Sequence, residues 1–370
     1  MHLPNRRHLL WALGALALPP GVRAQAPPTP RALQFPQDHG SHPDLRTEWW
    51  YITGHALAAG RRWGFQVTFF RSRVDATQQM QSAFAARQLV FAHAALTDVA
   101  GRKLHHDQRI ARAGFGIAEA AEGDTDVRLR DWSLVRAGGA APGSSRYTAR
   151  VQGARFALEL RFDTTQPLLL QGDAGLSRKG PDPSQASHYY SQPQLAVSGH
   201  ITLDGQRMAV DEGSAPQDRR AWLDHEWSEA LMHPDAVGWD WVGMNLADGS
   251  ALTAFRLRRA DGSALWAGGS WRAAGADAAR VFDANEVTFT PLRQWQSGAT
   301  AARYPVEWRV ATPQGSFIVQ ALLDDQELDS RGSTGAVYWE GLSVLRDAAG
   351  NAVGQGYLEM TGYAQRLRLG

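Results

Sequence analysis

Residues 221–258 read AWLDHEWSEALMHPDAVGWDWVGMNLADGSALTAFRLR. Two patterns meet in this stretch. Between Trp222 and Trp227, three ionisable residues, Asp224, His225 and Glu226, stand among indoles. From Trp239 to Arg258 the text alternates like a β-hairpin, broken around Gly249. A weak echo lies upstream. Trp49-Trp50-Tyr51-Ile52, with Leu57, Gly60 and Phe65 to Arg71, resembles Trp239-Asp240-Trp241-Val242, with Leu246, Gly249 and Leu252 to Arg258. The register slips by a residue or more along the way. Two related β units divided near Met232 to Ala236 would produce such an echo.

The rest of the chain extends the β reading. Trp49 to Gly54 and Trp63 to Arg71 read as strands around the turn Ala58-Ala59-Gly60. Leu89 to Thr97, Val127 to Val135, Arg155 to Phe162, Leu195 to Leu203, Tyr304 to Val310, Phe317 to Leu323, Ala336 to Leu345 and Gly356 to Tyr363 follow, with turns at regular short intervals. Val74 to Arg87 reads as a polar loop with room for a short helix. No long stretch carries a 3.6-residue apolar period. The class is all-β, which favours barrels or sandwiches.

Composition narrows the function classes. The chain has 370 residues and a formal charge of +1, so charge gives no case for nucleic acid or an anionic membrane as partner. Of its 38 basic residues only Lys103 and Lys179 are lysine. There is no cysteine, which removes disulfides, thiolate nucleophiles and thiolate metal sites. Its 14 tryptophans suit wide apolar interiors or sugar and isoprenoid surfaces. Arg6-Arg7, the apolar run Leu9 to Leu18 and Val22-Arg23-Ala24 read as an export signal over 1–24, either twin-arginine or secretory. The run is too short to span a bilayer. A Pro-rich linker over 25–34 should follow, then an N-terminal domain over 35–232 and a C-terminal domain over 233–370. The mature protein is expected to be periplasmic or secreted, with no stable membrane anchor.

Several strings taken together, FPQDHGSHPDLRTEWWYITGH, ASHYYSQPQLAVSGHITLDG, AWLDHEWS, GWDW, VYWEGLSVL and GQGYLEMTGY, resemble the family of AttH-type exported proteins and carotenoid 1,2-hydratases. They occur in the right order over nearly the whole mature chain. The resemblance implies two lipocalin-like antiparallel β-barrel domains packed together. It also implies either an apolar ligand or the addition of water to an isoprenoid carbon–carbon double bond.

Hydrating an unactivated alkene needs a strong proton donor, a stabiliser for the cation and a positioned water. Asp224 as acid, His225 as water-orienting base, and Trp227 with Trp241 as an aromatic wall would meet that list. The competing reading makes Asp224 a crosslink and His225 a satisfied core histidine. Glu226 is set aside because neighbouring strand residues face opposite ways. Glu48 and Trp50 share a face and would line the first barrel, with Glu48 paired to Arg46 or closing the barrel end. Tyr190 would donate into a pocket. Asp38, His39, His42 and Asp44 have the residue types of metal ligands but sit in a loop without an evident later partner, so no metal and no cofactor are expected. G-x-S-x-G, H-E-x-x-H, P-loop and dinucleotide motifs are missing, which leaves serine-hydrolase chemistry unsupported. Two functions remain: an exported carrier holding an apolar small molecule, such as a lipid or isoprenoid, in a barrel pocket, or a hydratase acting through Asp224.

Overall fold

Alternation in the two tryptophan-rich stretches becomes two hairpins in a computed structural model, which describes residues 31–139, 141, 143–229 and 232–367. The first hairpin pairs Thr47–Ala58 with Arg61–Arg73. Ala59 and Gly60 both turn at positive φ, 50° and 70°. This is the two-residue turn whose twist matches its strands, and Gly60 adopts it without steric cost. The second hairpin pairs Gly238–Leu246 with Ala251–Arg258. The echo is thus structural, and each hairpin opens a sheet.

One sheet takes fourteen antiparallel strands from the region 47–228, and the other takes ten from 238–360. In both, the opening strand pairs with the last one. Thr47–Ala58 lies against Arg220–Ser228, and Gly238–Leu246 lies against Ala352–Met360. The first sheet curls until Gln88–Asp98 and Lys103–Arg112 approach Ala118–Ala120 and Asp126–Leu129, nearly closing a barrel. Helical structure among the described residues is three short 3-10 turns, and the helix expected within Val74 to Arg87 is the single turn Asp75–Thr77. None of these is long or apolar enough to cross a membrane.

Among the described residues, three large apolar clusters and a small one around Ala95, Leu328 and Tyr338 fill the molecule. Trp50, Phe65, Phe69, Trp132, Leu158, Tyr190 and Trp227 belong to the first barrel's core. Val242, Met244, Tyr304, Trp308, Trp339 and Leu358 belong to the second. A third cluster, with Tyr51, Trp222, Trp241, Phe255, Leu342 and Tyr357, joins the two sheets. Polar bonds reinforce this junction. The Gln194 backbone N–H donates to Asn245 at 2.7 Å, Ser270 donates to Gln171 at 2.8 Å, and Tyr338 meets His93 at 2.8 Å. The export segment 1–24 lies outside the described residues. The last four residues of the expected linker do not hang free: Arg31 pairs with Asp38 at 2.6 Å and Leu33 packs on the first core.

Candidate active-site cavity between the two barrels

The strand Arg220–Ser228 decides where each candidate residue goes. Its pleat sends Leu223, His225 and Trp227 into the first barrel and Trp222, Asp224 and Glu226 outward to the second. Register carries this division across the sheet. Trp50, His225 and Tyr190 lie side by side facing inward, while Tyr51, Asp224 and Ser191 lie side by side facing outward. Asp224 and His225 therefore cannot act as an acid and base on one molecule, as the sequence reading had them. Strand alternation puts His225, and not Glu226, on the face opposite Asp224. Trp227 and Trp241 do not form one wall for the same reason. Trp227 stacks on His42 inside the first barrel at 3.9 Å, whereas Trp241 meets Tyr51 edge-on at 5.5 Å between the barrels.

The inward group is a closed polar network. Glu48 accepts from His225 Nε2 at 2.9 Å, His42 Nδ1 at 2.7 Å, Arg71 Nε at 2.8 Å and Ser41 at 2.9 Å. Arg71 supplies a guanidinium partner that the sequence reading did not name. The loop that holds Asp38, His39 and His42 caps the barrel. His42 Nε2 meets Asp38 at 3.0 Å, and Tyr190 bridges His39 at 2.7 Å and His225 at 3.1 Å. Burial works against a charged Glu48, but the bonds from His225 and His42 outweigh it and hold the carboxyl well below the usual range. Burial lowers His225 to about 4, against the pull of Glu48, so its imidazole is neutral. The ligand atoms of His42, Glu48 and His225 lie within 4.8 Å of one another, near enough for a cation. Glu48 already spends its lone pairs on donors, with Arg71 at 2.8 Å, so the arrangement is a hydrogen-bonded network rather than a metal centre.

The outward group borders a cavity of about 600 Å³, within the range of small-molecule sites. This corrects the expectation of a ligand inside a barrel: both barrel interiors hold packed cores, and the cavity lies between them. Trp49, Tyr51, Phe70, Trp239, Trp241, Phe255 and Leu257 line it. Of the seven residues singled out from sequence, Asp224, Trp241 and Glu48 border the cavity, Glu48 with its carboxylate bound into the network above. His225, Trp50, Tyr190 and Trp227 belong to the first barrel's interior.

Besides Glu48 and Asp75, four carboxyls line this cavity: Asp224, Glu226, Glu340 and Glu359. Asp224 accepts from Tyr189 at 2.7 Å, Ser191 at 2.5 Å and Trp222 at 2.6 Å. Burial nevertheless pushes it up to about 7, with the charge of Glu226 adding to the effect. Glu226 is bonded by Ser187 and pairs with Lys179 at 3.0 Å. The Lys179 ammonium also sits over the rings of Tyr189 and Phe255. Burial and its neighbour Glu359 raise Glu340 well above the usual range. Burial and the charges of Asp224 and Glu226 raise Glu359 to about 7. Sequence reasoning missed Glu340, Glu359, Tyr51 and Tyr189. The available signal was a lone glutamate within each apolar run, VYWEGLSVL and GYLEM.

Fold and cavity together define a two-barrel, lipocalin-like class with a cavity at the barrel junction. The chain belongs to the AttH-like family, whose model matches residues 26–363. It is similar to a crystal structure from Nitrosomonas europaea described as AttH, with 47% identity over 91% of this chain and 99% of that one and a TM-score of 0.81. Kievitone hydratase from Nectria haematococca shares the fold at 15% identity, over 90% of this chain and 94% of that one, with a TM-score of 0.68. CghA in complex with Sch210972 shares it at 14%, over 88% and 89%, with a TM-score of 0.52. The comparison with curated proteins returned no match.

Proposed function

We propose that this chain binds an apolar small molecule between its barrels and exchanges a proton with it, as a hydratase does in adding water to a carbon–carbon double bond. One observation carries the reading: Asp224, a buried carboxyl pushed up to about 7, borders a largely apolar cavity. A carboxyl poised near neutrality can both give and take a proton. The rings of Tyr51, Trp239, Trp241 and Phe255 offer π faces to a developing carbocation. The like-folded kievitone hydratase is named for a hydration, which supports the reading by analogy. The same apolar lining also favours a second reading, carriage of an apolar ligand without turnover.

The test uses geraniol, farnesol and squalene in oxygen-18 water, read by mass spectrometry, with the neutral fluorophore N-phenyl-1-naphthylamine reporting cavity binding. The hydratase reading expects a labelled alcohol from at least one alkene. It also expects Asp224→Asn to abolish that product while binding the fluorophore as tightly as the wild type. Tight binding with no labelled alcohol selects carriage, and absence of both defeats the two readings together. Export is proposed on the 1–24 segment alone. Sequencing the N-terminus of protein recovered from the periplasm should begin near Gln25, and an intact Met1 there would contradict it.

A further inference from the structure

Glu340 and Glu359 take no part in the proton exchange assigned to Asp224. They stand on neighbouring strands, Ala336–Arg346 and Ala352–Met360, as direct cross-strand partners. Both border the cavity. Cross-strand partners on one face bring their Cβ atoms to about 4.5–5.5 Å, so the carboxyls adjoin. Glu340 is 2% exposed. The Tyr51 hydroxyl lies beside it as a weak donor, and neither group completes a hydrogen bond of ordinary geometry among the described residues.

This environment is the opposite of that of Asp224. Three donors converge on the Asp224 carboxylate, and donors stabilise an anion. A carboxyl with only a weak donor beside it, buried against a second carboxyl, keeps its proton, because two adjacent anions cannot both be sustained there. Resting on the hydration reading above, we propose that Glu340 is the proton donor of the cavity, that Glu359 shares that proton with it, and that Asp224 takes the proton released by the attacking water. The Glu340 O–H bond breaks as the alkene π pair forms a new C–H bond. The cationic carbon then accepts a lone pair from water to form the C–O bond. The oxonium proton passes to the Asp224 carboxylate, and the cycle closes when it returns to the Glu340–Glu359 pair. Alkene plus water gives an alcohol, with no oxidant or reductant.

The experiment compares wild type, Glu340→Gln, Glu340→Asp and Asp224→Asn in the oxygen-18 assay, with N-phenyl-1-naphthylamine affinity and infrared spectra at about pH 8, above the ordinary carboxyl range. Glu340→Gln is expected to lower turnover by roughly a hundredfold or more, to bind the fluorophore unchanged, and to lose a protonated-carboxyl C=O band that the wild type shows. Glu340→Asp is expected to recover part of the turnover, which a purely structural role would not require. Wild-type turnover that survives Glu340→Gln but not Asp224→Asn overturns the inference and leaves the hydratase reading standing. Absence of wild-type turnover on every probe overturns both. An infrared spectrum that Glu340→Gln leaves unaltered overturns the inference by itself.

Discussion

His225 and Asp224 are neighbours in the chain, yet the compartments they enter are built on opposite principles. Inside the first barrel, Glu48 is surrounded by donors, His225 is held between Glu48 and Tyr190, and Arg71 supplies the compensating charge. Across the sheet, Glu340 completes no hydrogen bond of ordinary geometry among the described residues, and burial raises Asp224, Glu340 and Glu359 above the usual carboxyl range, Asp224 only to about 7, where its three donors let it ionise. A satisfied polar network fixes a fold, because every desolvated group has its charge or hydrogen bond answered. An unsatisfied one beside an apolar cavity costs stability, and it leaves functional groups for a ligand to engage.

The difference can be tested at several sites. The largest effect is expected at Glu48→Ala, which strands the buried Arg71 guanidinium. Urea denaturation should show a loss of roughly 3–5 kcal/mol, and a loss below about 1 kcal/mol would break the claim that this network holds the barrel. Trp227→Ala should cost a similar roughly 3–5 kcal/mol, as for other buried indoles, with little change in fluorophore affinity in whatever fraction folds. Trp241→Ala should reverse that order, costing less stability and weakening N-phenyl-1-naphthylamine binding about tenfold, which is near 1.4 kcal/mol.

The two compartments should also respond to pH with opposite sign. His225, lowered to about 4, contributes stability above the ordinary histidine pKa that is lost as pH falls from about 6.5 toward 4. Asp224 and Glu359, raised to about 7, contribute stability at low pH that is lost as pH rises from about 4 toward 7. Melting curves of His225→Gln should lose part of the acid-side decline, and those of Asp224→Asn part of the decline toward neutrality. The same slopes in both variants would erase the distinction. The smallest effect is expected from Glu340→Gln, which relieves an unpaired buried carboxyl and should leave the melting temperature equal or slightly higher.

Much of this division was legible before any coordinates. The hairpins around Gly60 and Gly249, the echo between Trp49-Trp50-Tyr51 and Trp239-Asp240-Trp241, and the all-β class follow from alternation and turn residues, which are local. The two-barrel architecture came from family resemblance, since alternation says which residues share a face but not which face meets which. That limit accounts for the misplaced pairing of Asp224 with His225. Period two, which sets Glu226 apart from His225, equally sets His225 apart from Asp224. Glu340 and Glu359 are over a hundred residues from Asp224 in the chain, and only the packing of the two sheets, Thr47–Ala58 on Ala352–Met360 and Arg220–Ser228 on Gly238–Leu246, brings them to one cavity. His42, read as a loop residue without a later partner, has one in His225 because Thr47–Ala58 pairs with Arg220–Ser228.

The central claim is that the ligand site lies between the barrels, on the Asp224 side of the sheet and not on the His225 side. Photolabelling with a diazirine-bearing long-chain alcohol, followed by peptide mapping, tests it most directly. Label on Tyr51, Trp239, Trp241, Phe255 or Leu257 is the predicted result. Label confined to Ile52, Val67, Leu223 or Trp227, in the first barrel's interior, would contradict it.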